Sequence, residues 1–185
     1  MLVAFVDLAR NILVLKVVLA GPPAVGKTER LDQIGRVGRR YGFGSSVMGP
    51  TEMAVLPIAS ESDGRPVEVE FYEWHGPEKA DVRAKGLFLG LDGLIYLADA
   101  REDRHVDTVR QFQFLVEQAG KAKLARLPAL LVLGRMDEGL LRLPHFQQKL
   151  AGPTWSQKLE LPRTAEEPFL EALRLYAEVM LARAL

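Results

Sequence analysis

The residues with the clearest chemical potential occupy positions 21–28, where the sequence reads Gly-Pro-Pro-Ala-Val-Gly-Lys-Thr. A glycine, four free positions and then Gly-Lys-Thr are typical of a loop that binds phosphate groups. In such a loop, consecutive backbone N–H groups and the N-terminus of the next helix surround the anion. Gly21 and Gly26 permit the tight turn, whereas Pro22 and Pro23 have no N–H to donate. The amides that we expect to act as donors belong to Ala24, Val25, Gly26, Lys27, Thr28 and Glu29.

Two side chains of this loop have roles of their own in the pattern. The ammonium of Lys27 is expected to reach the terminal phosphates, and the hydroxyl of Thr28 is expected to bind Mg²⁺. The motif also requires a strand before it and a helix after it. Residues 12–20 form an apolar run typical of a buried strand, and residues 29–40 have a helical period. A glycine-rich turn that binds nothing is the alternative interpretation of the same residues.

The rest of the chain alternates between strand-like and helix-like segments. Predicted strands occupy residues 2–8, 12–20, 53–59, 66–73, 93–98, 128–133 and 155–161. Predicted helices occupy residues 29–40, 79–89, 107–123, 145–150 and 166–183. This alternation predicts an α/β fold with a mostly parallel six-stranded sheet, an antiparallel edge strand and helices on both faces. Residues 2–8 could also form a hairpin with the strand at 12–20.

Composition narrows the class of protein. The chain has 185 residues, 24 basic and 24 acidic side chains and no cysteine. Its length and the lack of a linker predict one domain spanning residues 1–185. A balanced charge gives no reason to expect nucleic acid as a partner, and the lack of cysteine excludes disulfides and thiolate metal sites. The apolar start is short and contains Asp7, so we expect no signal peptide or membrane span and a cytoplasmic location.

In a parallel sheet of this kind, ligands bind outside the carboxyl ends of the strands. Four loops follow predicted strand ends, at residues 21–28, 73–78, 99–104 and 134–137. We therefore expect these four loops to surround a single site.

The chain resembles the Ras-like small GTPases, and most closely the bacterial MglA-type polarity GTPases that govern gliding motility. The resemblance covers essentially the whole chain and depends on residues 21–28, on Gly76, on residues 90–99 and on Asp137. It implies a P-loop NTPase fold and a Mg²⁺-dependent switch between GTP and GDP. The implied partner is a Roadblock-domain activator that contacts the two switch loops, at residues 42–51 and 73–85.

The resemblance also implies roles for single residues. Thr51 would bind Mg²⁺ and the γ-phosphate, and the Gly76 N–H would meet the γ-phosphate. Glu73, with Thr28 and Thr51, would complete the metal site, with its carboxylate acting through water. Arg135 would lie on the guanine, and the carboxylate of Asp137 would accept hydrogen bonds from the N–H groups of the guanine. The loop at residues 162–164 would approach the base.

Several positions depart from the family pattern. Pro77 stands where a glutamine orients the attacking water, Pro50 replaces an arginine before Thr51, and Gly134 replaces the asparagine of the base-reading motif. Positioning and charge stabilisation account for most of phosphoryl-transfer catalysis, so these losses predict weak or absent hydrolysis. The side chains that could replace the missing groups are Glu73, His75 and Glu78.

Three functions remain open from the sequence. The first is a GTP-binding switch that recruits a partner, and the second is a GTPase-like interaction module that does not hydrolyse nucleotide. The third is a P-loop kinase, which would need an arginine-bearing lid such as one containing Arg101 and Arg104.

Overall fold

A computed structural model describes residues 5–42, 52–62, 64–76, 86–146 and 148–184. Within these ranges the chain forms one sheet of eight strands. The strands are β1 (Phe5–Asp7), β2 (Ile12–Ala20), β3 (Arg39–Gly42), β4 (Glu52–Ser62), β5 (Arg65–Glu73), β6 (Gly93–Asp99), β7 (Pro128–Gly134) and β8 (Thr154–Glu160). The helices are α1 (Lys27–Val37), α2 (His105–Ala119), α3 (Lys121–Leu124), α4 (Leu143–Phe146) and α5 (Glu167–Ala184), with a 3₁₀ turn at Glu102–Arg104. Residues 86–88 are also helical.

The sheet is mixed, with the strand order β3-β4-β5-β2-β6-β7-β8 and with β1 paired to β2. The pairs β5–β2, β2–β6, β6–β7 and β7–β8 are parallel, whereas β3–β4, β4–β5 and β1–β2 are antiparallel. The predicted α/β class, the mostly parallel sheet and the hairpin of β1 with β2 are confirmed. The predicted number of six strands is wrong, because β1 and β3 both join the sheet.

The extra edge strand β3 occupies a segment that the sequence assigns to a helix end and a loop. Gly38 ends α1, and its N–H donates to the Ile34 carbonyl at 2.9 Å. A Cβ at Gly38 would lie 2.1 Å from the carbonyl oxygen of Val55 in β4. Glycine therefore lets the chain approach β4 closely at this point and turn at once into β3.

The strand β1 covers the part of one β2 edge that β6 leaves open. It pairs with residues 12–14 of β2, while β6 pairs with residues 17–20. The strand β5 pairs with β2 over residues 13–19. Because a strand has only two edges, β1 and β6 must share the edge opposite β5.

Apolar layers cover both faces of the sheet. Leu15 and Val17 of β2 face the layer that contains α1 and α5, whereas Val18 and Ala20 face the layer that contains α2 and residues 86–88. Every residue of β6 and β7 is buried, as expected for parallel strands covered on both sides. The predicted helices on both faces are therefore confirmed. None of the helices in the described ranges has the length and apolar character needed to cross a membrane.

Tyr176 of α5 provides a test of how the helix layer is attached to the sheet. Its fully buried hydroxyl donates to the Pro128 carbonyl at 2.9 Å and lies 3.2 Å from the Leu94 carbonyl. We expect Tyr176→Phe to lower the free energy of unfolding by about 1–3 kcal/mol, because a buried hydrogen bond is lost without replacement. Urea denaturation measures this loss.

Tyr72→Phe is the matched control for this prediction. The Tyr72 hydroxyl donates to Glu70 Oε2 at 2.6 Å, and Tyr72 is only partly buried. Water can replace the lost bond there, so we expect a change within about 0.5 kcal/mol. Equal losses in the two variants would contradict the role given to Tyr176.

Candidate functional site

The loop at residues 21–26 connects β2 to α1 and has a backbone that only certain residues can adopt. Gly21 has a φ of 152°, and a Cβ there would lie 2.4 Å from the Leu97 carbonyl oxygen of β6. Gly26, the N-cap of α1, has a φ of 100°. Ala24 lies in the left-handed region with a φ of 60°. Both glycines of the motif are therefore required by the backbone that this loop adopts.

Lys27 lies almost fully buried inside the loop, with 6% of its surface exposed. Its ammonium donates to the carbonyl oxygens of Gly21 at 3.1 Å and Pro22 at 3.0 Å. Burial lowers the pKa of Lys27, and the nearby Glu73 carboxylate opposes this shift. The ammonium therefore loses hydration and has two neutral oxygens as its hydrogen-bond partners.

The next two carbonyls of the loop accept hydrogen bonds from arginines. Arg104 Nη2 donates to the Pro23 oxygen at 3.1 Å, and Arg135 Nη2 donates to the Ala24 oxygen at 2.8 Å. Arg135 Nη1 also bonds both carboxylate oxygens of Glu138 at 2.7 Å. Four consecutive carbonyls are thus held by three cations from different parts of the chain.

These contacts determine the direction of the neighbouring amides. In a trans peptide the C=O of one residue points opposite to the N–H of the next. All peptide bonds of the described residues are trans. The N–H groups of Ala24 and Val25 therefore point away from Arg104 and Arg135. Both belong to the amides that the sequence predicts as phosphate donors.

Thr28 and Glu73 meet at the start of α1. The register of the parallel pair β2–β5 places Glu73 opposite Leu19, two residues before the loop. Thr28 Oγ1 donates to Glu73 Oε2 at 2.9 Å, and Glu73 is buried. His75 Nδ1 lies 3.4 Å from the other oxygen of Glu73. A hydroxyl and a carboxylate predicted as metal ligands are therefore adjacent.

The spacing of these two oxygens fits a magnesium ion. Neighbouring ligands of an octahedral Mg²⁺ are about 2.8–3.0 Å apart when the metal–oxygen distance is about 2.0–2.1 Å. The Thr28 and Glu73 oxygens are 2.9 Å apart. The described ranges contain no group of three or more His, Asp and Glu side chains able to hold a metal. A magnesium ion here would need further ligands, such as water, phosphate or the predicted Thr51, which lies outside the described residues.

Gly76 is the last described residue of its segment. It has a φ of 92°, and a Cβ there would lie 2.9 Å from Oε1 of the buried Gln111 in α2. Gln111 is a neighbour that sequence reasoning missed, because its position in α2 carries no motif. Thr51 and Glu78, together with Pro50 and Pro77, lie outside the described residues.

At the other end of the site, Asp137 is exposed beyond β7. Its Oδ1 accepts the backbone N–H of Arg163 at 2.9 Å, and this bond lowers the pKa of the Asp137 carboxyl. Arg135, predicted to lie on a base, has a φ of 59° and directs its guanidinium to Glu138 and Ala24. Arg135 therefore joins the loop after β7 to the phosphate loop.

Two further arginines join α1 to the loop after β8, and no sequence motif predicts either contact. Arg30 is buried, donates to the Pro162 carbonyl at 3.1 Å and lies 4.9 Å from the centre of the Phe169 ring. Arg163 Nε lies 3.1 and 3.3 Å from the two carboxylate oxygens of Glu29. The loop at 162–164 is thus fixed against the first turn of α1.

All four loops that were expected to surround one site are connected by these contacts. Residues 21–28 bond Glu73, Arg104 and Arg135, one from each of the other three loops. The loop at 99–104 is held by the fully buried Asp99, which pairs with Arg101 through bonds of 3.0 and 2.7 Å. The parallel strand ends therefore bring together the side chains that the sequence predicts.

We expect Arg135→Gln to loosen the phosphate loop. A shorter neutral side chain loses the charged bonds to Glu138 and leaves the Ala24 carbonyl without this donor, so the loop opens more often. The prediction is faster hydrogen exchange at the amides of residues 24–26, measured by NMR. Arg126→Gln, at an exposed arginine, is the control. Unchanged exchange in Arg135→Gln would show that Arg135 does not hold the loop.

The two carboxyls near Arg163 should respond differently to one substitution. The pKa of Glu29 is lowered mainly by the Arg163 side chain, whereas that of Asp137 is lowered mainly by the Arg163 backbone N–H. In Arg163→Gln the pKa of Glu29 should rise toward its ordinary value, while that of Asp137 stays low. Carbon-detected NMR titration of the carboxyl groups measures both.

The sign of the pH effect follows from these shifts. A carboxyl with a lowered pKa stabilises the fold while it is ionised, so its contribution is present at neutral pH. That contribution is lost in acid as the pH falls through the lowered pKa. If both pKa values rose together in Arg163→Gln, the assignment of the Asp137 shift to a backbone bond would be wrong.

Comparison with protein-family models found no match to this chain, and a search of curated proteins found none either. The features of the described residues that bear on function are the loop at residues 21–28, the hydrogen-bonded Thr28 and Glu73, and the exposed carboxylate of Asp137.

Proposed function

We propose that this chain is a small GTP-binding protein, a Mg²⁺-dependent guanine-nucleotide switch similar to the MglA type, with weak or absent GTP hydrolysis. One observation carries the proposal. Lys27 and Thr28, on the first turn of α1, stand beside a loop whose carbonyls are held by cations. This arrangement supports a P-loop NTPase fold, because P-loops in general bind phosphates through their backbone amides and their lysine.

The charge of Lys27 supports an anionic ligand. Its ammonium is buried among carbonyl oxygens, and burial lowers its pKa. A phosphate beside it would supply the missing counter-charge and restore the lysine to its ordinary range. Thr28 and Glu73 would hold Mg²⁺, which supplies charge neutralisation between the phosphates when bound. These residues bind and orient the ligand without themselves transferring a proton.

Asp137 supports guanine as the base. A carboxylate can accept two parallel N–H groups, which guanine offers and adenine does not. Each carboxylate oxygen has two lone-pair sites, so the bond from the Arg163 N–H leaves acceptor capacity on Asp137. The exposed position of Asp137 leaves its carboxylate accessible to a ligand.

The proposal of weak hydrolysis depends on the residues near Glu73. Pro77 offers no side-chain group to orient water. Glu73 bonds Thr28 and lies next to His75, so its carboxylate is engaged where a metal would bind. The resemblance to MglA-type GTPases suggests a cytoplasmic protein that acts in cell polarity or gliding motility. It also suggests a Roadblock-domain activator that contacts residues near Glu73 and Gly76.

A second candidate is a GTPase-like interaction module that does not hydrolyse nucleotide. It is favoured by Arg135, whose guanidinium bonds Glu138 and Ala24 in the place where a base contact is expected. A P-loop kinase is less well supported. Arg101 pairs with the buried Asp99 and Arg104 bonds the Pro23 carbonyl, so both arginines have structural partners.

We expect the purified protein to bind GTP and GDP more tightly than ATP, and to need Mg²⁺ for full affinity. Isothermal titration calorimetry with and without EDTA measures this. Lys27→Ala should weaken GTP binding by about 30-fold or more, because it removes a desolvated charge that faces the phosphates. Lys121→Ala, at an exposed lysine of α3, is the matched control and should bind as the wild type does.

Two kinds of outcome would contradict the proposal, one in binding and one in hydrolysis. If the wild type binds no guanine nucleotide, or if Lys27→Ala binds it equally well, the proposal fails. Single-turnover hydrolysis should be no faster than about 10⁻³ per second, the range of an unassisted small GTPase. Turnover near that of an assisted GTPase, about 5–20 per second, would exclude both weak hydrolysis and the interaction module.

A further inference from the structure

One ion pair joins the two ends of the proposed site. The guanidinium of Arg163 bonds the carboxylate of Glu29 through Nε, at 3.1 and 3.3 Å, and through Nη2. Glu29 directly follows Thr28, at the phosphate end. The backbone N–H of Arg163 donates to Asp137, at the base end, over 2.9 Å. The pair therefore extends from the residue next to the metal ligand to the residue that bonds the base-reading carboxylate.

A nucleotide that uses both ends must cross the same space. With its phosphates at Lys27 and Thr28 and its base at Asp137, such a nucleotide would have its ribose near the pair that joins these two ends. We propose that the Glu29–Arg163 pair is a gate at the nucleoside end of the site. The gate is closed while Glu29 and Arg163 are paired, and it must open before a nucleoside triphosphate binds. This inference depends on the proposed nucleotide site.

The gate can open by rotation of side chains alone. The side chains of Arg163 and Glu29 are 48% and 44% exposed, so neither is held by the core. The backbone nearby is fixed separately, because the buried Arg30 donates to the carbonyls of Pro162 and Ala165. The loop that carries Arg163 therefore stays attached to α1 when the ion pair breaks.

A cleft beside the pair offers room for the opened side chains. Its volume is about 250 Å³, and its lining residues are Glu29, Asp32, Gln33, Arg36, Arg163 and Thr164. Asp32 and Arg36 already have partners, since Asp32 pairs with Arg40 and Arg36 pairs with Glu166. The Glu29–Arg163 pair is itself about half exposed, so breaking it in water costs little.

A gate predicts a difference between two kinds of ligand. A ligand made only of phosphates occupies the end at Lys27 and Thr28 and does not need the gate to open. A nucleoside triphosphate needs the space between Glu29 and Arg163. The free energy needed to open the gate therefore lowers the affinity of the wild type for GTP. It does not lower the affinity for inorganic tripolyphosphate.

The experiment measures the affinity of Mg²⁺–GTP and of Mg²⁺–tripolyphosphate for the wild type, Glu29→Gln and Arg163→Gln. The two variants change the local charge in opposite directions, so their direct effects on phosphate binding have opposite signs. Both variants break the same ion pair. We expect the ratio of GTP affinity to tripolyphosphate affinity to rise about twofold to fivefold in both, the range that an exposed ion pair allows.

Glu166→Gln is the matched control. Glu166 forms the other exposed ion pair between α1 and this region, with Arg36 at 2.6 Å, and it contacts neither Thr28 nor Asp137. This variant removes one carboxylate charge, as Glu29→Gln does, and should leave the affinity ratio unchanged. A rise in Glu166→Gln equal to that in Glu29→Gln would overturn the gate, since any loss of negative charge would then suffice.

The remaining outcomes are also decisive. If the wild type binds both ligands and the ratio stays constant in both variants, the gate is wrong and the nucleotide site stands. If the ratio falls in both, the pair closes over bound nucleotide as a clamp, and the gate is again wrong. If the wild type binds neither ligand, the proposed function fails and the gate with it.

Discussion

The phosphate loop depends on an electrostatic match between its carbonyl oxygens and three cationic side chains. Lys27 comes from the loop itself, Arg104 from the segment after β6 and Arg135 from the segment after β7. Arg104 and Arg135 hold the carbonyls of Pro23 and Ala24 on one side, so the N–H groups of Ala24 and Val25 point to the other side. The parallel order β2-β6-β7 makes this possible, because it ends the three strands at one edge of the sheet. Sheet topology therefore determines the direction of the loop amides.

The burial of cationic side chains at this end of the sheet has a cost in stability. Lys27 and Arg30 are almost fully buried, and burial lowers the pKa of both. A buried charge with mainly neutral partners gives less stability than an apolar side chain of similar size would. The proposed anion site would account for this cost. A bound anion would repay part of it, since a ligand that binds only the native state stabilises that state.

The sequence predicts most of the fold because the relevant patterns are local. The strand, loop and helix at residues 12–40 have the expected periods, and β6 and β7 are continuous apolar runs between turns. The strand β3 could not be predicted in the same way. Its start, Arg39 and Arg40, has no apolar alternation, and its pairing depends on the close approach of Gly38 to Val55. Edge strands of this kind are defined by tertiary contact more than by their own residues.

In the candidate site, too, some residues could be predicted from the sequence and others could not. The loop after β7, at residues 134–137, differs from both groups. Lys27 and Thr28 could be predicted from the motif at residues 21–28, and Glu73, at the end of β5, from the family resemblance. The bond from Arg104 to Pro23 spans 81 residues, and long flexible side chains carry no sequence signal for such a contact. Gly134 lacks the side chain that would join its loop to the phosphate loop, yet Arg135 makes that connection from a left-handed backbone at φ 59°. A neighbouring residue can therefore make the contact that a missing motif residue would have made. The replacement of one motif residue does not by itself exclude ligand binding.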